Sequence, residues 1–315
     1  MDKQRFSFIV AVVCLFVCAL FIFASCGSRT QEAKKEVQVK RFTPPSIPTM
    51  LIDPQERVNY LVVHYWDSFD FSDTTLLDPP AYTEQAFAPY VEILSYAPFA
   101  SIVSSIRQTM EKTLNNKQMC LRFAELFEKY FYDPNAPTQD EELYAPVVES
   151  VIHAAQIDEV EKIRFRFQWE QIQKNRKGST ATDFIYMLPN GMQGNMRQLK
   201  AEHLLLFFYD PECHTCEEIR QSIHGSPIVT EAINRNLLKV LAVYTGKDIT
   251  IWEAYQTNIP KTWMNTCDAL QIIDQNGLYD LRALPIMYLL DKNKAVLFKD
   301  ASLRQLEQWF STIGQ

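Results

Sequence analysis

Glycine is scarce in this sequence, 8 of 315 residues, and cysteine is scarcer still at 7. So little glycine excludes a collagen-like or low-complexity chain, and a hydrophobic share of 47% excludes a disordered one. Excess positive charge is also missing. A formal net charge of −7 leaves no broad basic surface, so nucleic acid is not an expected partner. No internal repeat is evident, and the length suits two domains with cores of their own.

One long apolar run stands out, Phe8 to Ala24, preceded by Lys3 and Arg5 and ending in "FASCGS". Charged, apolar and small residues in that order form the pattern of an export signal. The pair Ala24-Ser25 before Cys26 resembles the lipobox of bacterial lipoproteins, although Phe23 stands where leucine is commoner. That resemblance implies cleavage before Cys26 and acylation of its thiol and new amino group. The competing reading is an uncleaved membrane-spanning helix, since the run nearly reaches spanning length. Both readings tether the rest of the chain to a membrane outside the cytoplasm. The expected location is therefore the cell envelope, lipid-anchored and either periplasm-facing or in the outer membrane.

The chain divides accordingly: residues 1–25 as signal peptide, 26–45 as flexible tether, 46–176 as a helical domain and 180–315 as a second domain. The tether is polar from Gly27 to Arg41 and then stiffened by "TPPSIP". Asp53-Pro54 signals a helix start, and Val58, Leu61, Val62, Tyr65 and Trp66 share one helical face. Thr83 is expected to cap the next helix, and "KQMCLRFAELFEKYFYD" carries a stripe of Met119, Phe123, Leu126 and Phe127. The aromatic density of "HYWDSFDF" and "KYFYDP" reads as core. Cys120 beside the stripe reads as a buried small hydrophobe, and His64 and His153 lack partners at metal-ligand spacing. Nothing in this domain looks like chemistry.

The polar stretch Gln173 to Thr180 reads as a linker, and beyond it the period changes. "DFIYML", "HLLLFFYD" and "LLKVLAVYT" are strand-like runs, "PIMYLLDKNKAVLFKD" reads as a hairpin, and Ser302 caps a closing helix.

With Cys14, Cys18 and Cys26 assigned to the signal and anchor, four cysteines remain in about 290 residues, too few for a disulfide-built scaffold. Two of them lie in "FFYDPECHTCEEIRQSI", Cys213 and Cys216, at a strand-to-helix junction. A metal site would need two further ligands, usually a second close pair; His214 and His224 are near, but no such pair exists. No metal and no cofactor is expected.

Strand, Cys-x-x-Cys, helix, strand, Leu284-Pro285, hairpin and final helix together resemble a thioredoxin fold over about 135 residues, Thr180 to Gln315. The insertion with Trp252 and Trp263 resembles the extracytoplasmic TlpA/ResA-like branch. The whole arrangement is similar to lipoproteins of Bacteroidota-type bacteria that join a helical domain of unknown function to a thioredoxin-like domain. The expected fold class is thus an α/β thioredoxin-like C-terminal domain preceded by a mostly α-helical one. The resemblance implies a thiol–disulfide oxidoreductase with Cys213 as nucleophile, Cys216 as resolving thiol, and Leu284 and Pro285 shaping the substrate groove, Pro285 in cis.

The partners so implied are protein dithiol or disulfide substrates and an unidentified membrane electron donor or acceptor. Glu212, His214 and Thr215 would tune the pair. A carboxylate at Glu212 disfavours a nearby thiolate, and protonated His214 favours it. Thr215 does not reproduce a peroxidase motif. The strand "HLLLFFY" holds no acid to receive the resolving thiol's proton, which leaves Asp210, Glu212 and Glu217 as substitutes. Cys267 reads as core. The rival function is a non-enzymatic envelope binding or scaffold lipoprotein, its thioredoxin-like part a recognition module with a quiet disulfide and its helical domain the working surface, for which Cys213 would be buried.

Overall fold

The computed structural model describes residues 41–78 and 80–313. The expected signal segment and Cys26 lie outside the described residues. Among the described residues six α-helices come first: α1 (Pro54–His64), α2 (Pro80–Leu94), α3 (Phe99–Thr113), α4 (Lys117–Phe131), α5 (Glu141–His153) and α6 (Glu159–Gln173). Asp53, Asn116 and Asp140 each accept a backbone N–H of the helix that follows, so short polar side chains set these starts. Thr83 does not cap. Pro80 occupies the first position of α2, placing Thr83 one turn inside, where it is buried and accepts a hydrogen bond from Arg122 Nε at 3.0 Å.

The apolar stripes of these helices meet around Trp66, whose ring lies 5.2 Å from those of Tyr90 and Phe123 and 5.4 Å from that of Phe69. The aromatic-rich segments are therefore interior. Cys120 is fully buried in the same core, and burial pushes its thiol pKa up. His153 is exposed, and His64 bonds Asp67 at 2.7 Å on the surface. Phe42 falls within the stretch expected as tether, yet it is buried against Tyr65 and Trp66, with centroids 5.3 and 5.4 Å away. Burying a phenyl ring outweighs the freedom of one chain end, so packed structure begins there rather than after residue 45.

The second part is a seven-stranded mixed sheet: β1 (Ile185–Met187), β2 (Gln193–Asn195), β3 (His203–Tyr209), β4 (Leu238–Tyr244), β5 (Met264–Cys267), β6 (Ile286–Asp291) and β7 (Val296–Lys299). Their order is β2-β1-β5-β4-β3-β6-β7. The central pairs β3–β4 and β4–β5 are parallel, and β3–β6 and β6–β7 are antiparallel. Between them run α7 (His214–Gly225), α8 (Pro227–Asn234), α9 (Ile249–Tyr255) and α10 (Ile272–Gln275), and α11 (Leu303–Ile313) closes the chain.

Strand β3 reads as a continuous apolar run because both its faces are covered. Leu205, Phe207 and Tyr209 join Cys216, Trp252, Trp263, Leu306 and Phe310 on one side. Leu204, Leu206 and Phe208 join Phe184, Tyr279 and Tyr288 on the other. Ser302 Oγ accepts the Gln305 N–H at 3.3 Å and caps α11 as expected.

The expected linker is a structured seam. Gly178 N–H donates to the Val296 carbonyl at 2.8 Å, and Val296 N–H returns a bond to Ser179 at 2.9 Å. Lys174 Nζ and Asn175 Nδ2 donate to the carbonyls of Gly277 and Leu278, each at 2.8 Å. Helices and sheet are thereby stitched into one compact unit from Phe42 onward.

Candidate thiol site

Strand β3 ends at Tyr209, and an Asx turn follows. Asp210 Oδ1 accepts the Glu212 N–H at 2.8 Å, and the Asp210 carbonyl accepts the Cys213 N–H at 3.1 Å. The turn delivers Cys213 to the N-cap of α7 with extended dihedrals, φ −85° and ψ 111°. Its Sγ accepts the backbone N–H of Cys216 at 3.2 Å. The nucleophile candidate thus sits where unpaired amides and the helix dipole favour negative charge.

Cys213 is half-buried, whereas Cys216, one turn along, is 2% exposed. Both are free thiols. Just before β6, the strand paired with β3, the cis Leu284–Pro285 peptide has its Leu284 carbonyl oxygen 3.5 Å from Cys213 Sγ, which donates to it. Cys213, Cys216, Leu284 and Pro285 therefore converge, across more than 70 positions of sequence, on one half-open sulfur.

A thioredoxin-like protein from Bacteroides caccae has a solved structure that aligns with this one at a TM-score of 0.84 and 39% identity, covering 88% of this chain and 100% of that chain. This chain belongs to the thioredoxin-like proteins. The family described as a domain of unknown function (DUF5106) matches residues 25–175, the helical part. The C-terminal domain of an uncharacterized protein from Bacteroides fragilis is 40% identical and covers 44% of this chain and 98% of that chain, at a TM-score of 0.43. No curated protein matches the chain.

Within this thioredoxin-like site, the expected tuning residues face water. Glu212 and Thr215 are exposed, and the His214 side chain is 87% exposed with Nε2 3.3 Å from Glu218 Oε1. Charges so placed act on the sulfurs through high-dielectric solvent and are largely screened. Burial pushes the Cys216 thiol pKa far above its ordinary value and the neighbouring Cys213 sulfur adds to that, while at Asp210 a backbone hydrogen bond lowers it and the carboxylate charge raises it.

The three carboxylates considered for the proton of Cys216 separate cleanly. Glu217 is held at a pKa of about 2 by Arg220, with the Tyr255 hydroxyl and Gln221 also donating to it, so it cannot accept a proton near neutral pH. Glu212 is solvated. Asp210 is half-buried, and its charge acts on Cys216. The Glu217–Arg220 spacing was readable as an i,i+3 ion pair. Tyr255 arrives from α9, and no local signal foretells it.

Cys267 lies on β5, buried in the same apolar cluster as Cys216, with burial pushing its pKa up to about 11. That is the behaviour of a core residue. Among the described residues, no group of three or more histidines, cysteines or carboxylates is placed to hold a metal ion. Among the same residues, no helix is long and apolar enough to cross a membrane.

Proposed function

We propose that this protein is a thiol–disulfide oxidoreductase of the cell envelope, tethered to a membrane through a lipid on Cys26. The observation that carries the reading is a half-open Cys213 at a helix N-cap, beside the Leu284–Pro285 loop, with Cys216 buried one turn behind it. A quiet recognition module has no use for that placement.

In the proposed reaction, the Cys213 thiolate attacks one sulfur of a substrate disulfide. A Cys213–substrate bond forms, and the other substrate sulfur leaves as a thiolate. Cys216 then loses its proton and attacks Cys213 Sγ. The Cys213–Cys216 disulfide forms and the second substrate sulfur leaves. Two electrons and two protons pass from the dithiol to the substrate; the reverse sequence oxidises a substrate dithiol. A membrane-bound donor or acceptor resets the pair.

Insulin reduction with dithiothreitol as electron source tests the reading. The parent protein should accelerate it, Cys213→Ser should abolish the acceleration, and Cys216→Ser should accumulate mixed disulfides that name the substrates in cells. Parent protein without exchange activity would leave the recognition-module alternative in its place.

A further inference from the structure

The loop that faces Cys213 is not held by its own domain alone. Two residues before Leu284 stands Arg282, whose guanidinium is committed on every side. Nε donates to Asp280 Oδ2 at 2.6 Å, while Nη2 donates to Glu141 Oε1 at 2.9 Å and Nη1 to the Tyr132 carbonyl at 3.4 Å. Its face lies over the Tyr132 ring, 3.6 Å from the centroid. Glu141 and Tyr132 belong to the helical domain, Glu141 as the first residue of α5 and Tyr132 just beyond α4. Glu141 is only 8% exposed, and its second oxygen meets Lys299 Nζ at 2.6 Å. Lys299 in turn donates to the carbonyls of Gln171 and Lys174 at the end of α6.

This is a nearly dry node whose members cannot be removed singly without stranding a charge. Its position gives it a consequence for the sulfur. Residues 280–285 are a short strap, pinned at Arg282 by the helical domain and ending at the carbonyl that touches Cys213.

We infer that the helical domain acts as a clamp on the redox site, with Arg282, held by Glu141 and Tyr132, as the positioning residue that sets the Leu284–Pro285 loop against Cys213. The inference rests on the oxidoreductase reading for its effect on turnover, but not for its effect on the thiol itself. With the strap seated, the Leu284 carbonyl lies 3.5 Å from Cys213 Sγ, covers that side of the half-buried sulfur and restricts the approach of a reagent to it. The same loop offers free backbone to a substrate strand. Releasing the strap should therefore make the bare sulfur more reactive toward a small reagent and less able to engage a protein. Loss of structure in general would not split the two in that way.

The test uses the full chain outside the signal segment, with Cys120 and Cys267 monitored as buried controls. In Arg282→Met, alkylation of Cys213 by iodoacetamide near neutral pH should rise by about 3-fold or more, while KM for insulin rises about 5-fold or more with kcat less affected. Glu141→Gln, which keeps side-chain volume, should move both readouts in the same directions, and it serves if Arg282→Met does not fold. The double variant should be no worse than Arg282→Met alone, because both act through one contact.

Lys299→Met cuts the other arm of Glu141 and should lower the melting temperature without changing alkylation. Parent-like alkylation and KM in Arg282→Met, or in Glu141→Gln where it stands in, would overturn the clamp. So would full additivity in the double variant, or a Lys299→Met protein as altered at Cys213 as Arg282→Met. A parent protein that fails to reduce insulin defeats the oxidoreductase reading and leaves the alkylation comparison to decide the clamp.

Discussion

The sulfur of Cys213 caps the helix that carries Cys216, accepting its backbone N–H at 3.2 Å. In the proposed reaction one atom is thus both the reacting centre and a structural acceptor. The two duties separate by substitution, because a serine hydroxyl still caps whereas a methyl group does not. Cys213→Ser and Cys213→Ala should be equally inactive in exchange. Thermal or urea unfolding should nevertheless place the alanine variant below the serine variant by about 1 kcal/mol. Equal stability would mean that the sulfur contributes nothing as a cap.

Glu217 supplies an acid-side signature. Arg220, Tyr255 and Gln221 hold its carboxylate down to about 2, below its ordinary value of 4.5. A depressed carboxylate contributes stability that is fully present above its unfolded pKa and is lost as pH falls through its folded one. The parent protein should therefore lose part of its stability between roughly pH 4.5 and 2 on account of this cluster. Glu217→Gln should be less stable than the parent at neutral pH, by on the order of 1–2 kcal/mol after allowing for partial exposure, and the difference should close toward pH 2. Urea titrations at several pH values would show it. A gap independent of pH would assign the effect to packing.

Asp300 gives the opposite sign. It follows Lys299 in a left-handed conformation, φ 52°, and burial together with the Glu141 carboxylate pushes its pKa up to about 7. Asp280 acts in the same direction, and Lys299 and Arg282 oppose it. An acid raised on folding destabilises increasingly as pH climbs from its unfolded pKa to its folded one, and fully above. Asp300→Asn keeps a residue that tolerates the left-handed region and removes the charge. It should match the parent near pH 4 and exceed it at pH 8 by on the order of 1–3 kcal/mol. A variant no more stable at pH 8 would show that Asp300 is ionised there without cost.

Much of this molecule was legible locally. Asp53 and Ser302 mark helix starts by short polar side chains that bond the next turn. Strand β3 is announced by seven consecutive residues whose two faces are both covered. Cys213 and Cys216 follow at the spacing that places one thiol at a cap and the other a turn inside. Thr83 misled because a serviceable capping residue and an actual helix start are different things once Pro80 lies upstream. Phe42 carries no such signal, because a single aromatic in a proline-rich stretch has no period to betray its burial.

What the sequence by itself determined was the inventory: a helical stretch, an α/β domain, one paired-cysteine junction and a proline downstream to face it. These depend on neighbours within a turn or a strand, which composition and spacing encode directly. Tertiary structure alone decided which groups share the site. Leu284 reaches Cys213 from 71 positions away, Tyr255 reaches Glu217 from 38, and Glu141 reaches Arg282 across 141. Such contacts arise from how packed layers register against one another, and no local propensity carries that information.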